Sequence, residues 1–278
     1  MRERTRQRLI SVARATHTLG VLDSAKYVAS RVMSSRANSR FVRSHPDFAV
    51  PPASLAFDAF AHTDHHIYLQ SGLEHARFVA GIARESAPPK RLRILEWGCG
   101  PARIIRHLPE LLADRLDVVV GADFNPKTIA WCTHNLPGIR FERNGLEPPL
   151  PFPDRSFDFI YAISVFTHLD EVGWTGWLRE MSRILDDAGV LLFTTHGVNY
   201  LPKLLAGERA VFDSGRPVFR TNVAQGKRLF VAFHPRDFVL RSLEPGLDVL
   251  TLPESADPPA LSQDVWVVRK NPMRPEFP

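Results

Sequence analysis

The sequence predicts an α/β domain in which a mainly parallel sheet is covered by helices on both faces. Three observations predict it. From about residue 92 onward, short apolar runs that end in polar or acidic turns alternate with segments of helical periodicity. The runs are apolar throughout, as strands buried on both faces require. The first run leads through a two-glycine turn into another helical pattern.

That first element is Arg93-Ile-Leu-Glu-Trp-Gly-Cys-Gly-Pro-Ala-Arg103. Ile94 and Leu95 read as a buried strand. Gly98 and Gly100 let the backbone turn tightly and approach a ligand where a Cβ would collide. Ile104, Ile105, Leu108, Leu111 and Leu112 recur at helical spacing, so a helix with free N–H groups facing the ligand is expected. A dinucleotide fingerprint would carry a third glycine where Arg103 stands and would place pyrophosphate at the helix start. Glu96 would repel a pyrophosphate, but it suits a ligand with an ammonium, a sulfonium and a ribose and no phosphate. S-adenosylmethionine fits that description.

The segment resembles the first motif of the class I S-adenosylmethionine-dependent methyltransferases, an acid, any residue, then Gly-x-Gly. The following segments fit the same order. Asp117 to Asp123 is a second apolar run ending in an acid, placed for ribose hydroxyls, and Asn125 before Pro126 starts a helix to Asn135. Gly138 to Asn144 reads as a third strand. Asn144 stands where the family often has an acid on the adenine amine; an amide oxygen can also accept that bond. Leu150-Pro-Phe and Ser156-Phe-Asp resemble the family's entry into the fourth strand, Phe157 to Ile163. Asp170 to Leu185 is a covering helix, and Gly189 to Thr195 the fifth strand. Leu247 to Leu252 and Asp264 to Arg269 close the chain as two strands. The resemblance spans about residues 55–271 and implies a Rossmann-like seven-stranded sheet with an antiparallel last strand. The cofactor set it implies is Glu96, Gly98, Cys99, Gly100, Asp123, Phe124, Asn144, Gly145, Leu146 and Ser164.

The chain has 278 residues, 44% hydrophobic and 23% charged, enough for one large domain with extensions. No uncharged apolar run reaches the ~20 residues that span a bilayer, and the basic start lacks a secretory apolar core. Cys99 and Cys132 have neither the spacing nor the context of a disulfide or metal site, so a reducing cytoplasm is expected. Charge is uneven: residues 1–45 carry ten basic side chains against Glu3 and Asp23, a net of +8 in a chain of +5. Residues 1–54 are therefore read as a basic helical extension and linker. It would have one helix stopped by Gly20 and a second from Asp23. A solvated extension or subunit contact is the first reading of residues 1–45, and a membrane-surface or acidic-partner helix the second. Residues 272–278 are a tail.

Chemistry follows from the cofactor, whose methyl group is a strong electrophile; a hydroxyl acceptor also needs a base. His168 and His196 leave the sheet at its carboxyl edge and are the candidate bases, although such histidines also commonly bond to backbone. Residues 197–234 exceed a simple crossover and are expected to roof the substrate site, with Tyr200, Arg220 and His234 as substrate contacts. His62, His65, His66 and Asp64 lack metal-ligand spacing, and no metal is expected. An Asn-Pro-Pro-aromatic segment after the fourth strand is absent, and so is a basic aromatic patch on the domain, which disfavours nucleic acid. The expected activity is methylation of a small-molecule or glycan acceptor, on oxygen. The alternative is a catalytically inactive S-adenosylmethionine-binding partner subunit.

Overall fold

The computed structural model describes residues 18–220, 223–252 and 262–272. Seven strands form one sheet: β1 (Leu92–Trp97), β2 (Leu116–Asp123), β3 (Arg140–Arg143), β4 (Phe157–Ala162), β5 (Leu185–Thr195), β8 (Leu247–Val249) and β9 (Asp264–Lys270). Their order is β3-β2-β1-β4-β5-β9-β8. The pairs among the first five are parallel, whereas β9 is antiparallel to both β5 and β8. The order reverses between β1 and β4, and ligands of open α/β sheets bind at such a switch point, beyond the carboxyl ends of the strands.

Period-two alternation along the central strands divides the core in two. Leu95, Trp97, Ile160, Leu191 and Phe193 pack on one face with Trp174, Trp177 and Met181 of α6 (Glu171–Ile184). Ile94, Phe159, Tyr161, Val190 and Leu192 pack on the other with Val79, Ile82 and Ala83 of α3 (His65–Ser86). Asp170 caps α6 by accepting the Gly173 N–H, and Asn125 caps α5 (Pro126–Asn135) by accepting the Lys127 N–H.

The expected helix after the glycine turn is much reduced. Residues 101–104 are turns, followed by a 3₁₀ turn at Ile105–His107 and a single short helix α4 at Leu108–Leu111. Pro101 and Pro109 lack amide donors, and the Glu96 carboxylate takes the Ile105 N–H at 3.1 Å. Side chains compatible with helical spacing still reach the core, because Ile105, Leu108 and Leu112 are fully buried.

The N-terminal region also differs from expectation. One helix, α1, runs from Leu19 to Ser44, so Gly20 lies in its first turn and does not stop it; the part of the expected first helix before residue 18 lies outside the described residues. Glycine favours a helix end only where a left-handed residue is needed, and here the chain simply continues. Ser30, Ser34 and Asn38 bond to Thr63, and Phe41 is buried, which docks α1 on the segment between α2 (Ala53–Phe60) and α3. Among the described residues no helix is long and apolar enough to cross a membrane.

Residues 197–234 form the insertion. A 3₁₀ segment spans Val198–Lys203, and α7 (Ala206–Asp213) follows it. Two short strands pair as a separate small sheet, β6 (Val218–Arg220) with β7 (Val231–Phe233). The chain then enters α8 (Arg236–Ser242).

Candidate active site

At the switch point the carboxyl edge encloses a cavity of about 190 Å³. The turn after β1 contributes Gly98 and Gly100, at φ of 74° and 50°. A Cβ on Gly98 would stand 2.4 Å from the Val165 side chain, so both conformation and the close approach of the turn after β4 require glycine there. Asp123, at the end of β2, is 8% exposed. One of its oxygens accepts the Gly100 N–H at 3.0 Å and the other accepts the Asn125 N–H at 2.8 Å. It thereby ties the β1 turn to the start of α5. Burial raises its pKa, and the two amides oppose that rise.

Asn144 donates its Nδ2 to the Gly145 carbonyl at 2.6 Å, whereas its buried Oδ1 has no hydrogen-bond partner. Phe124, Gly145, Leu146 and Ser164 line the same cavity. Glu96 and Cys99 are placed differently. Glu96 lies under the turn on the Ile94 face of β1, 4% exposed, and is not in the cavity wall. Burial pushes its carboxyl up to about 8, while the Tyr161 hydroxyl, Arg103 and the Ile105 amide pull the other way. It holds the backbone of the turn from behind, because strand alternation sends Leu95 and Trp97 to the opposite face. Cys99 is likewise buried, and its thiol pKa is raised by desolvation.

A second cavity, about 630 Å³, adjoins the first. Ala59, Phe60, Arg103, Ser164, His168 and Arg228 belong to both walls. His196, Tyr200, Lys203, Arg220 and Phe233 line only the second, so the insertion builds the outer chamber. His168 Nδ1 lies 2.6 Å from the Phe230 carbonyl. A carbonyl only accepts, so the proton sits on Nδ1 and Nε2 keeps its lone pair. Burial lowers the pKa of His168; the Phe230 carbonyl opposes this and the Arg228 charge adds to it. His196 bonds through Nδ1 to the Ala232 carbonyl at 3.0 Å and stacks on Tyr200 at 4.0 Å between ring centroids. Its pKa falls to about 3, mainly through burial and then through His168, Lys203 and Arg220.

His234 lines neither cavity. The ring is 0% exposed and lies 4.5 Å from Trp174 and 5.8 Å from Phe238, where it packs the start of α8 against α6. The expectation of a substrate contact is therefore corrected: its side chain belongs to the core. Asp64 caps α3 by accepting the His66 and Ile67 N–H groups, and no metal-ligating cluster occurs among the described residues.

Several wall residues escaped the sequence reading. Leu55, Asp58 and Phe60 of α2 close the inner cavity, and nothing in that short helix marks which face covers a ligand. Arg103 shows in the sequence only as the replacement of a third glycine; its guanidinium lies 4.8 Å over the Phe60 ring. Gly226, at φ 75°, donates its N–H to the His168 carbonyl at 2.8 Å and brings Arg228 to the shared wall. The Gly226 turn was the one sequence signal available for this contact.

A methyltransferase-domain family matches residues 94–189, from β1 into β5. That segment is thus similar to methyltransferase domains. A Mycolicibacterium smegmatis protein named "Probable S-adenosylmethionine-dependent methyltransferase" is 31% identical over 102 residues, 37% of each chain. The ubiquinone biosynthesis O-methyltransferase of Azorhizobium caulinodans is 30% identical over 116 residues, 41% of this chain and 44% of that protein. The matches thus span less than half the length of these relatives. The crystal structure of an S-adenosylmethionine-dependent methyltransferase from Mesorhizobium loti shares the fold, with a TM-score of 0.53 at 18% identity over 72% of this chain and 99% of that one. The inner cavity has groups that fit S-adenosylmethionine, the cosubstrate of such relatives: the orphaned Asn144 oxygen is free to accept from an adenine amine, and Asp123 stands in the same wall as an acceptor for ribose hydroxyls.

Proposed function

We propose that the protein transfers a methyl group from S-adenosylmethionine to a hydroxyl of a small-molecule or glycan acceptor. The observation that carries this reading is His168. It stands in the wall shared by both cavities, with Nδ1 bonded to the Phe230 carbonyl and Nε2 able to accept a proton. When bound, the cosubstrate supplies an electrophilic methyl group, so the protein's task is alignment and proton removal.

Gly98, Gly100, Asp123 and Asn144 hold the donor on this reading, with Phe124 and Leu146 beside the adenine. Glu96 and Cys99 act indirectly, by fixing the turn. The insertion closes over the site: Gly226 is tied to His168, and a Cβ at Gly226 would come within 2.6 Å of Leu146. His168 is the better placed base, because His196 lines only the outer chamber and burial brings its pKa down to about 3, which makes it a weak one. Tyr200 and Arg220 remain acceptor contacts in the outer wall.

The test is calorimetry with S-adenosylmethionine and S-adenosylhomocysteine, followed by transfer of tritiated methyl to cell extract and identification of the labelled product. A methyl ether or ester supports the reading. Label on nitrogen or carbon overturns the choice of oxygen, and binding without transfer to any fraction supports a binding subunit instead.

A further inference from the structure

We infer that α1 lies along an anionic lipid surface, with its N-terminal half inserted at the boundary between headgroups and acyl chains. This docking does not depend on the methyl-transfer reading; it follows from an inversion of the helix's two faces.

The face turned to the domain is mostly polar. Asp23 accepts from Arg228, Ser30 and Ser34 bond the Thr63 hydroxyl, and Asn38 donates to the Thr63 carbonyl. Tyr27, against Phe57, and the buried Phe41 are its aromatic contacts. The face turned to solvent is apolar, where a surface helix is ordinarily polar. Val21, Leu22, Val28, Val32 and Met33 are between 55% and 84% exposed. Val21, Ala25, Val28 and Val32 recur at helical spacing in one exposed row, and Leu22, Ala29 and Met33 form the row beside it. Apolar side chains exposed singly need no partner, but two adjacent rows make a contiguous patch of the kind that marks an interface.

Charge decides the occupant. Lys26 and Arg31 border the apolar rows on opposite sides, and Arg36, Arg40 and Arg43 continue the outward face through the rest of the helix. The one acid of α1, Asp23, is taken by Arg228. Long basic side chains lay their stems along apolar surface and lift the charge to the headgroups, so apolar rows edged by cations match an anionic leaflet. Residues 1–17, with five arginines against Glu3, would bring like charge to the same face. A second copy of α1 packed there about a two-fold axis would do the same.

The test measures cosedimentation of the full chain with vesicles of phosphatidylcholine alone and of phosphatidylcholine containing about one third phosphatidylserine. Binding to the anionic vesicles is expected to be about tenfold tighter or more, and to weaken with salt. Val28→Ser together with Val32→Ser should lower that binding by about tenfold. The melting temperature should stay unchanged, since both side chains are exposed. A polarity-sensitive dye on Val28→Cys should shift to the blue on the anionic vesicles, and the same dye on Thr175→Cys of α6 should not; the native Cys99 and Cys132 are buried. Equal binding to both kinds of vesicle, or binding to neither, overturns the inference. Sedimentation that the serine substitutions leave unchanged, with no blue shift, also overturns it, because charge alone would then carry the attachment. A blue shift already present without vesicles overturns it as well, assigning the face to a second copy if it follows protein concentration and to residues 1–17 if it does not.

Discussion

Arg228 of the insertion donates to both carboxylate oxygens of Asp23 in the N-terminal helix, at 2.7 and 2.6 Å, across 205 residues of sequence. The pair is largely shielded, with side-chain exposures of 18% and 23%. It joins the basic extension to the wall shared by the inner and outer cavities. The extension is therefore part of how the site is closed.

Asp23→Asn should loosen that closure. Loss of the charge leaves the Arg228 guanidinium partly buried and weakly paired, which costs about 1–3 kcal/mol for such a group. Faster proteolysis within residues 223–230 and weaker S-adenosylhomocysteine binding are expected, with the melting of the sheet core little changed. Limited proteolysis and calorimetry on the same preparation check this.

Gly98→Ala should abolish donor binding. A left-handed backbone costs a residue with a Cβ about 1–2 kcal/mol, and the new methyl would stand 2.4 Å from Val165. The second substitution Val165→Ala should restore part of the binding, since it removes the clash and leaves the backbone strain. If the double variant binds no better than the single, the contact with Val165 is not what excludes a side chain.

His168→Gln should lower methyl transfer by about 10²–10⁴-fold, the usual contribution of a general base. The pH profile of the wild type gives a second readout. The base must be neutral, and burial lowers its pKa below the ordinary 6.5, so the acid limb of the rate should lie below pH 6.5. Loss of that limb in the variant supports the role; an unchanged limb assigns the base elsewhere.

Glu96 makes stability depend on pH in the opposite sense to a paired carboxylate. Its folded pKa of about 8 exceeds the ordinary 4.5. Between those values the folded state holds a proton that the unfolded state has released, so stability falls as pH rises through the window. The slope is at most about 1.4 kcal/mol per pH unit. Thermal melts of the ligand-free protein from pH 5 to 8 should show the decline in the wild type and a flatter curve in Glu96→Gln.

Much of the fold was legible because its signals are local. Apolar runs such as Phe157 to Ile163 and Gly189 to Thr195 can only be satisfied between two covering layers, and the proline and asparagine before α5 state where that helix begins. The helix after the glycine turn misled because apolar spacing reports which side chains are buried, not the hydrogen bonding that carries them; Ile105 and Leu108 reach the core from a 3₁₀ turn and a short helix. His234 misled for a related reason. Sequence shows an imidazole near the carboxyl edge, but only packing shows that Trp174 and Phe238 enclose it.

The sequence by itself determined the α/β class, the run of strands through β5, the glycine turn and the acid that ends β2. Each of these is written in neighbouring residues whose backbone conformations and burial demands are short-range. The tertiary structure decided which side chains line the cavities. It turned Glu96 behind the loop, set His168 rather than His196 in the shared wall, and closed the chamber with Arg228 and Asp23. Those outcomes depend on the facing of strands and on contacts between distant segments, such as those that α1 makes with Thr63 and with Arg228 of the insertion.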